Sequence, residues 1–560
     1  MAVSAPVQEA LIIQISLAVA LHLWFKKHEP KSISAVFVIL IGLSAPSALL
    51  LLFPHFDSLV KAVGTSFVTL VVTLLSSILV YRLSPFHPLS CYPGPWQCKA
   101  TKLWGAYIAW QGKPHVYYKS LHDVYGPIVR IGPNEISVAE VDMLPNILGT
   151  SGMPKGPMWE GRSSVPSKKR KLNDHLTSTR DLRRHAQLRR PWNAAFKPAA
   201  VANYTEFLIA RSEQFVTKLK EVLQTPNAAQ RVDIALWINY LAFDVVGDLA
   251  FGGVYSFLVD GDRDGILRTI RRGIFPPSVS QHVPWLQEIM RKLPFLGKDS
   301  RKFGQFGLEQ GKKRAALSDT LKRKDLFHYL IEDDPNAMAN PIPVITSNAL
   351  LAIVAGSDTS TSVLCNIVYY LLQNPEYLVR LRSEIDDAYP SPVLNEAIDV
   401  NSLGALPLLN GVVNEALRLQ PPIASSLQRA PALGSGGKLL APGLFIPEGT
   451  AVQVSPYIFH RDPRYFSPRP DEFWPDRWIS KDPSLMLNRA AFIPFSVGPA
   501  NCPGKPLAMM ELRYITCLLV RTFDMSFADG YDHAHWEEGL FDHFVMLKGE
   551  LPLKLQVRVG

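Results

Sequence analysis

The sequence is short of cysteine and lacks internal repeats, and both absences exclude classes of protein. Five of the 560 residues are cysteine, an odd number at spacings that fit neither a disulfide framework nor a zinc site. So few cysteines are typical of a reducing compartment. No solenoid or propeller is expected without a repeat. Hydrophobic residues make up 47% and charged residues 19%, which excludes a disordered chain and allows a core large enough to bury a cofactor.

Acidic residues are the scarcer charge, and the net charge is +9. Such a surface suits anionic lipid or an acidic protein partner. The basic run at residues 168–171, KKRK, resembles a nuclear localisation signal. The alternative is a solvated segment of the polar, basic loop Gly152–Asp181. We expect this loop to be mobile. Because the N-terminus indicates a membrane, we favour the loop and expect no nucleic-acid partner.

Three apolar stretches crowd the start of the chain: Ala10–Phe25, Ile33–Phe53 and Leu59–Tyr81. The second and third are each about 20 residues long, enough to cross a hydrocarbon core of about 30 Å. The first is shorter and carries Gln14. Lysines rather than a small-residue cleavage site follow it, which favours an uncleaved anchor over a secretory signal. Residues 1–83 are therefore predicted to form a membrane anchor with two or three transmembrane helices, and core helices of a globular domain are the alternative.

The charges between these stretches predict the orientation. The linker KKHEPK, residues 26–31, is the most basic short loop, so the positive-inside rule places it in the cytosol. Two crossings later Arg82 is cytosolic again, and the bulk of the chain with it. Residues 84–95 contain four prolines and are predicted to be a stiff, extended hinge without a helix.

Residues 96–560 are predicted to be mainly helical with small β-sheets, an α+β fold. Alternation and turn residues predict a hairpin at Pro127–Val138 and a strand pair around a turn at Gly443–Ser455. Asn374 and Pro375 are predicted to cap and begin a helix. Helical periodicity predicts three further helices, at Phe207–Leu223, Ile234–Phe251 and Thr346–Gln373.

One cysteine calls for a chemical explanation. Cys502 ends a loop rich in glycine and proline, FIPFSVGPANCPG, and a helix is predicted to begin near Lys505. A sulphur at a helix N-terminus is stabilised as the thiolate by the helix dipole and free N–H groups. Gly498 and Gly504 let the backbone pass close to something flat and bulky. A thiolate in such a loop is what an axial haem ligand requires.

This loop resembles the haem-binding loop of the cytochrome P-450 superfamily, F-x-x-G-x-[R/H]-x-C-x-G. Phe495, Gly498, Cys502 and Gly504 match, whereas Ala500 stands where the family has a basic residue that binds a haem propionate. The resemblance covers residues 92–559 and is closest to membrane-bound fungal members. It implies the cytochrome P-450 fold, a haem b cofactor and Cys502 as the ligand to the iron.

A second motif, AGSDTS, lies inside a long helical pattern at residues 355–360. A glycine and a threonine in mid-helix can open the backbone hydrogen-bond ladder. The motif resembles the family's oxygen-binding helix, which implies that Asp358 and Thr359 are the catalytic acid–alcohol pair that delivers protons. Close packing against a neighbouring helix through small residues is the alternative.

A third pair of motifs carries buried charge. In NEALRL, Glu415 and Arg418 are three residues apart and share one helix face, and FWPDRW supplies Arg477. A buried carboxylate needs more than one partner to be tolerated. The motifs resemble the family's E-x-x-R helix and the loop that packs on it, which implies a structural lock around the haem loop.

Further basic residues resemble the family's propionate-binding positions. His185 and Arg189 lie in HAQLRRPWNAAF, which resembles the third main helix, and a solvated basic face is the alternative. Arg429 in SSLQRAP and His460 in FHRDP resemble other family positions, and Arg429 is the better propionate candidate. Basic groups here also suit the docking of an acidic electron donor.

The resemblance implies a monooxygenase that hydroxylates or epoxidises a lipophilic small molecule with O2, as in fungal secondary metabolism. Because the chain has no flavin or nicotinamide fingerprint, the electrons are expected from NADPH through a separate cytochrome P-450 reductase in the endoplasmic reticulum membrane. Val354, Ala355 and the stretch Ile423–Ser425 are expected to contact a substrate that enters from membrane lipid. A haem-thiolate isomerase or dehydratase without reductase, and a non-enzymatic haem carrier or gas sensor, are the alternatives.

Overall fold

The fold is taken from a computed structural model. It describes residues 6–558 apart from 29, 31, 163–175, 226–230, 254, 294–297, 318–323, 333–340 and 391–397. The basic run at residues 168–171 and much of the predicted loop around it therefore lie outside the described residues.

Three helices form a bundle at the N-terminus: Val7–Lys27, Ile33–Ser47 and Leu59–Leu83. The second continues through a π-helical turn and a 3-10 turn to His55. Only 28%, 22% and 17% of the residues in their most apolar 18-residue windows are buried. Among the described residues, two other helices are long and apolar enough to cross a membrane, Ile234–Phe251 and Asn348–Gln373, and their windows are 72% and 67% buried. Those two are core helices, whereas the three N-terminal helices are candidate membrane anchors.

Polar side chains occupy the inside of this bundle. Gln14 Nε2 donates a hydrogen bond to Ser66 Oγ at 2.9 Å, and Ser66 Oγ is also 2.9 Å from Ser47 Oγ. Large apolar side chains face outward, with Leu50 79% and Val60 80% exposed. Small and polar residues inside and apolar residues outside is the pattern of helices that associate in lipid. The first helix, which was uncertain from the sequence because it contains Gln14, packs in the bundle together with the other two helices.

The hinge, residues 84–95, contains no helix, as predicted, but it is not extended. Three backbone N–H groups, of His87, Ser90 and Tyr92, each donate to the carbonyl three residues earlier, so the segment is a chain of turns. These donors lie between the prolines, which fix φ but do not prevent turns. At its start, the Arg82 carbonyl accepts a hydrogen bond from buried Arg130 at 3.0 Å, which ties the anchor to the rest of the chain.

The remaining described part is mostly helical. Its longer helices are Pro114–Tyr125, Leu182–Ala195, Pro198–Leu223, Ile234–Phe251, Ile266–Ser280, Lys298–Ala316, Pro341–Ile353, Thr359–Gln373, Pro375–Ala388, Pro407–Leu419 and Lys505–Thr522. Its shorter helices are Trp96–Ala100, Lys102–Trp110, Leu144–Ile147, Met158–Gly161, Phe257–Asp260, Leu286–Lys292 and Pro456–His460. This agrees with the predicted α+β class.

The strands form small sheets. They are β1 Ile128–Gly132, β2 Glu135–Val138, β3 Val232–Asp233, β4 Leu427–Arg429, β5 Gly437–Ala441, β6 Leu444–Pro447, β7 Ala451–Val454, β8 Phe466–Ser467, β9 Met486–Leu487, β10 Phe523–Phe527, β11 Phe541–His543, β12 Val545–Leu547 and β13 Pro552–Val557. The main sheet has the order β1-β2-β7-β4, and β10-β13-β3 form a second.

The hairpin predicted at Pro127–Val138 is confirmed as the antiparallel pair β1–β2. The strand pair predicted at Gly443–Ser455 is wrong in its pairing. Both strands exist, but β6 pairs antiparallel with the preceding strand β5. The strand β7 lies in the main sheet, parallel to β2 and antiparallel to β4. All four residues of β7 are buried because β7 is an inner strand of the main sheet. A local sequence pattern does not reveal this placement.

The predicted helix at Ile234–Phe251 has the predicted ends, and the one at Phe207–Leu223 begins earlier, at Pro198. Pro375 begins a helix as predicted, but the Asn374 side chain does not cap it. Its amide donates instead to the carbonyl of Tyr370 at 2.8 Å and closes the preceding helix. That preceding helix, which we call the central helix, runs from Pro341 to Gln373 with one interruption described below.

Candidate functional site

A cavity of about 310 Å³ lies between the central helix and the loop that ends in Cys502. Most of its wall is apolar, with side chains such as Val246, Leu249, Val363 and Leu507. Cavities of this kind, with a few convergent polar groups, are the usual sites of small-molecule and cofactor binding. Of the sequence-predicted site residues, the following line it: His185, Arg189, Val354, Ala355, Thr359, Ile423, Phe495, Cys502 and Gly504.

The loop before Cys502 is held in a fixed shape by its own backbone. The Cys502 N–H donates to the carbonyl of Phe495 at 2.9 Å, and the Asn501 N–H donates to the carbonyl of Gly498 at 3.1 Å. Ser496 and Gly498 both have positive φ, 57° and 74°. The helix Lys505–Thr522 then begins, as predicted, three residues after the cysteine.

The Cys502 thiol is exposed by surface area and yet deeply enclosed, because the surface that it exposes is part of the cavity wall. Burial raises its pKa. The backbone N–H groups of Gly504 and Lys505 and the Arg189 guanidinium act in the opposite direction. The predicted stabilisation of a thiolate by the helix N-terminus is present, but the protein alone does not overcome the burial. A cation in front of the sulphur would complete the stabilisation.

The two glycines of the loop serve different purposes. A Cβ at Gly498 would overlap the carbonyl oxygen of Leu148, so this position needs glycine for contact with the protein as well as for its positive φ. Gly498 itself does not line the cavity. A Cβ at Gly504 would meet only ordinary contacts, 3.6 Å from Phe196 and 3.9 Å from Cys502 Sγ. Gly504 lines the cavity, so its lack of a side chain leaves the backbone itself in the cavity wall beside Cys502.

The AGSDTS motif interrupts the central helix. Val354–Asp358 form a π-helical turn between the α-helical segments Pro341–Ile353 and Thr359–Gln373. The Thr359 hydroxyl donates to the carbonyl of Ala355 at 2.7 Å. The widened turn confirms the prediction that this motif opens the ladder, and such turns are frequent at functional sites. Close packing contributes as well, because a Cβ at Gly356 would meet Val246 at 2.7 Å.

The two residues of the predicted acid–alcohol pair do not face the same side of the central helix. Thr359 lines the cavity, whereas Asp358 does not. Burial raises the pKa of Asp358, and the positive charges of Lys548 and Arg271 oppose this rise. Among the described residues, its Oδ2 atom has no hydrogen-bond partner. Asp358 therefore faces a basic region behind the helix.

A second acid, which the sequence analysis missed, lies on the cavity side. Glu511 and Ser360 both line the cavity, and the Ser360 hydroxyl donates to Glu511 Oε2 at 2.6 Å. Burial raises the pKa of Glu511 to about 7, with the serine hydrogen bond lowering it in part. A carboxyl group that titrates near neutral pH is suited to proton transfer. A glutamate in an apolar helix near the cysteine was a local signal that could have revealed it.

Positive charge collects at one end of the cavity. Lys155, His185 and Arg189 line it, and Arg429 lies beside Lys155 through an isolated β-bridge but does not line the cavity. Arg189 also donates two hydrogen bonds to Asn501, at 2.5 and 2.7 Å, and so holds the loop before Cys502. Burial, followed by the charges of Lys155, Arg189 and Arg429, lowers the pKa of His185 to about 4. The solvated-face alternative is excluded for His185, which is buried.

Within the described part of the chain, no carboxylate forms an ion pair with any of these four basic residues. Lys155 and Arg429 are buried, and buried cations without a counter-charge are costly, so the cluster favours an anion from outside the chain. The two carboxylates of a haem meet this need, and an iron in front of Cys502 meets the need of the sulphur. The residues present thus fit a thiolate-ligated haem.

The predicted structural lock is present in full. Glu415 is completely buried and accepts bonds from Arg418 Nε and Nη2, at 2.9 and 2.8 Å, and from Arg477 Nε at 3.0 Å. The backbone N–H of Trp474 and the indole of Trp478 complete its shell, at 3.0 and 2.8 Å. These bonds lower the pKa of Glu415 in spite of its burial. The lock joins the helix Pro407–Leu419 to the segment 474–478.

His460 is a structural residue. It is fully buried and does not line the cavity. Its Nε2 accepts from the Ile493 N–H at 2.9 Å, and its Nδ1 is 3.1 Å from the carbonyl of Arg418. Since that carbonyl only accepts, the ring is neutral with the proton on Nδ1, and burial lowers its pKa to about 3. It connects the lock to the start of the haem-binding loop.

Of the five positions expected to contact substrate, three line the cavity and two do not. Val354, Ala355 and Ile423 line it, whereas Ala424 and Ser425 do not. The Ser425 hydroxyl donates instead to buried Asp542 at 2.5 Å.

Comparison with known proteins agrees with this site. A sequence model described as cytochrome P450 matches residues 92–555. The chain is 32% identical over 519 residues to cytochrome P450 monooxygenase notG' of Aspergillus versicolor, which covers 90% of this chain and 89% of the relative. It is 32% identical to cytochrome P450 67 of Uromyces fabae, over 84% of this chain and 86% of the relative.

A third relative has a name that states a reaction. The chain is 30% identical over 518 residues to tryprostatin B 6-hydroxylase of Aspergillus fumigatus, over 89% of this chain and 86% of the relative. The matched region contains the cavity, the loop of Cys502 and the lock around Glu415. The chain therefore belongs to the cytochrome P450 family, whose members are oxygen-incorporating oxidoreductases with a thiolate-ligated haem, and it resembles fungal monooxygenases of that family.

Proposed function

We propose that this protein is a membrane-anchored monooxygenase that inserts one oxygen atom of O2 into a lipophilic small molecule of fungal secondary metabolism. Residues 1–83 are the anchor, 84–95 the hinge and 96–560 the catalytic domain. The observation that carries the proposal is the placement of Cys502 in the wall of an apolar cavity that also contains an uncompensated basic cluster.

The cofactor is haem b, with Cys502 as the ligand to iron and the cavity-lining residues His185 and Arg189 as partners of its carboxylates. Arg429, the better propionate candidate from the sequence, does not line the cavity and adds positive charge beside Lys155. Bound haem supplies the activation of O2 and the transfer of oxygen, which a thiolate ligand favours. Arg189 has a second task, since its bonds to Asn501 hold the loop that carries the cysteine.

The central helix supplies proton control. Thr359 places a hydroxyl at the cavity, and its bond to the Ala355 carbonyl holds it at the widened turn. Asp358 lies off the cavity, where the positive charges of Lys548 and Arg271 favour its ionised form. Glu511 holds a proton near neutral pH and accepts a hydrogen bond from the Ser360 hydroxyl. General acid catalysis needs such groups near the reacting oxygen.

The substrate lies against Val354, Ala355 and Ile423. The apolar wall excludes water and selects lipophilic molecules. Hydroxylation by the relative named tryprostatin B 6-hydroxylase supports an oxygen insertion of this type, and the outward-facing apolar surface of the anchor supports delivery of such substrates from membrane lipid.

The membrane is that of the endoplasmic reticulum, and the catalytic domain faces the cytosol. The charge of the 26–31 linker supports this orientation. In the cytosol the domain meets a membrane-bound NADPH–cytochrome P450 reductase, which is the redox partner.

Reconstitution tests this function. The full-length protein in vesicles is combined with the reductase, NADPH and a panel of terpenoids, polyketides, alkaloids and fatty acids, and products are identified by mass spectrometry under ¹⁸O2. The expected result is a product that is heavier by one labelled oxygen and that requires NADPH and the reductase. A product formed without either, and without the label, contradicts the proposal and indicates an isomerase or dehydratase.

A further inference from the structure

Lys155 is a buried cation of the basic cluster to which neither the resemblance nor the proposed function assigns a partner of its own. It is 8% exposed and lines the cavity. Its Nζ donates to the carbonyls of Leu176 and Thr177, at 2.5 and 3.0 Å. Its Nζ also lies over the Trp159 ring, 5.2 Å from the ring centroid. An ammonium group has three N–H donors, and two of them have an acceptor among the described residues, so one is left for a further acceptor.

The backbone around Lys155 is fixed in place. Lys155 pairs with Arg429 in a β-bridge, and the Ala430 N–H donates to the carbonyl of Pro154 at 3.0 Å. The carbonyl of Lys155 accepts from Arg180 Nε at 2.8 Å. The ammonium group is thus positioned beside Arg429 by the strand β4.

The charge around Lys155 is unbalanced. Burial lowers its pKa well below the ordinary value, and the neighbouring Arg429 and Arg189 lower it further. No acidic side chain in the described ranges forms an ion pair with it. The ammonium group gains its counter-charge only when an anion enters the cavity.

The same cavity wall contains Ala500, where the family pattern has a basic residue. Alanine donates nothing, so one carboxylate of the porphyrin loses a partner at this position. We infer that Lys155 takes over this task and binds a haem carboxylate in place of the basic residue missing at position 500. The inference rests on the proposed function, since it requires haem in the cavity.

The test is the rate at which the full-length protein loses haem to excess apomyoglobin, compared between wild type, Lys155→Gln, Ala500→Arg and the double variant. Glutamine removes the charge and keeps an N–H donor for the Leu176 carbonyl. Loss from Lys155→Gln is expected to be roughly ten- to hundredfold faster, as for the removal of a charge-assisted hydrogen bond. Ala500→Arg in the Lys155→Gln background is expected to reverse at least half of this effect on a logarithmic scale.

Lys155→Arg is the matched control, and it is expected to retain haem within about threefold of wild type because the charge is kept. Wild-type rates in Lys155→Gln, or a loss that Ala500→Arg does not reverse, overturn the inference. If Lys155→Gln fails to fold, Ala500→Arg alone decides. An added arginine should slow haem loss less than about threefold where Lys155 already serves the carboxylate, and a slowing of more than tenfold overturns the inference. A wild-type protein that binds no haem contradicts the proposed function instead.

Discussion

Substitution of Glu511 by glutamine is expected to change the way in which stability depends on pH. In the folded protein its pKa is raised from 4.5 to about 7 by burial. Below about pH 4.5 the carboxyl group is protonated in the folded and the unfolded chain, and it carries no ionisation penalty. As the pH rises toward 7, the unfolded chain ionises and the folded one resists, so stability is lost.

The size of the effect follows from the two pKa values. Their difference corresponds to a destabilisation of about 3 kcal/mol at pH 8, and of under about 1 kcal/mol at pH 5. For a domain of about 460 residues, with an unfolding entropy of about 2.1 cal/mol/K per residue, 3 kcal/mol shifts the melting temperature by about 3 °C. Glu511→Gln keeps an oxygen that accepts from Ser360 and cannot ionise. It should therefore melt about 3 °C above wild type at pH 8 and within about 1 °C of it at pH 5.

Scanning calorimetry of the haem-loaded protein from pH 5 to pH 8 measures this difference. Ser360→Ala is the control, because the serine hydrogen bond lowers the pKa of Glu511. Its loss should raise the folded pKa further, so that the decline of stability still begins near pH 4.5 but continues to higher pH than in wild type. A difference between Glu511→Gln and wild type that does not grow with pH would refute the assignment of a titrating, buried carboxyl group.

Three further substitutions probe the lock, the helix and the loop. Glu415→Gln leaves two buried arginines without their counter-charge and should lower the free energy of unfolding by about 3–5 kcal/mol, measured in denaturant. Thr359→Ala should keep haem binding but direct most of the consumed O2 to peroxide. Thr361→Ala should not, because the Thr361 hydroxyl also donates to the carbonyl four residues earlier but does not line the cavity. Equal coupling of O2 consumption to product in both variants contradicts the role of Thr359. Gly498→Ala should lower the haem content several-fold through overlap with a backbone oxygen, while Gly434→Ala, at a similar φ with open space, should bind haem normally.

The parts of the site that sequence predicted are those encoded in contiguous motifs. The loop of Cys502 and the start of its helix depend on glycine, proline and local hydrogen bonds, so neighbouring residues determine them. Glu415 and Arg418 share one helix turn, which spacing alone reveals. Only the third member, Arg477, needed the family pattern.

The parts that sequence missed depend on contacts between distant segments. Glu511 meets Ser360 across 151 positions, and Lys155 becomes significant only when β4 brings Arg429 beside it. The sequence analysis paired β7 with its neighbour in sequence, β6. In the structure β7 belongs to the main sheet, whose strands come from three separate regions of the chain, and a local pattern does not reveal such pairing. The hinge was predicted to be extended because prolines are visible in a sequence, whereas the turn-forming donors between them are not.

The central claim is that the Cys502 sulphur binds the haem iron, and the absorption spectrum of the reduced protein with carbon monoxide tests it most directly. Cys517→Ala is the matched control, since this cysteine lies on the following helix, is buried and does not line the cavity. We expect wild type and Cys517→Ala to show the strongly red-shifted Soret band of a thiolate-ligated haem, and Cys502→Ala to lack it. A red-shifted band in Cys502→Ala, or its absence in folded, haem-loaded wild type, would contradict the assignment.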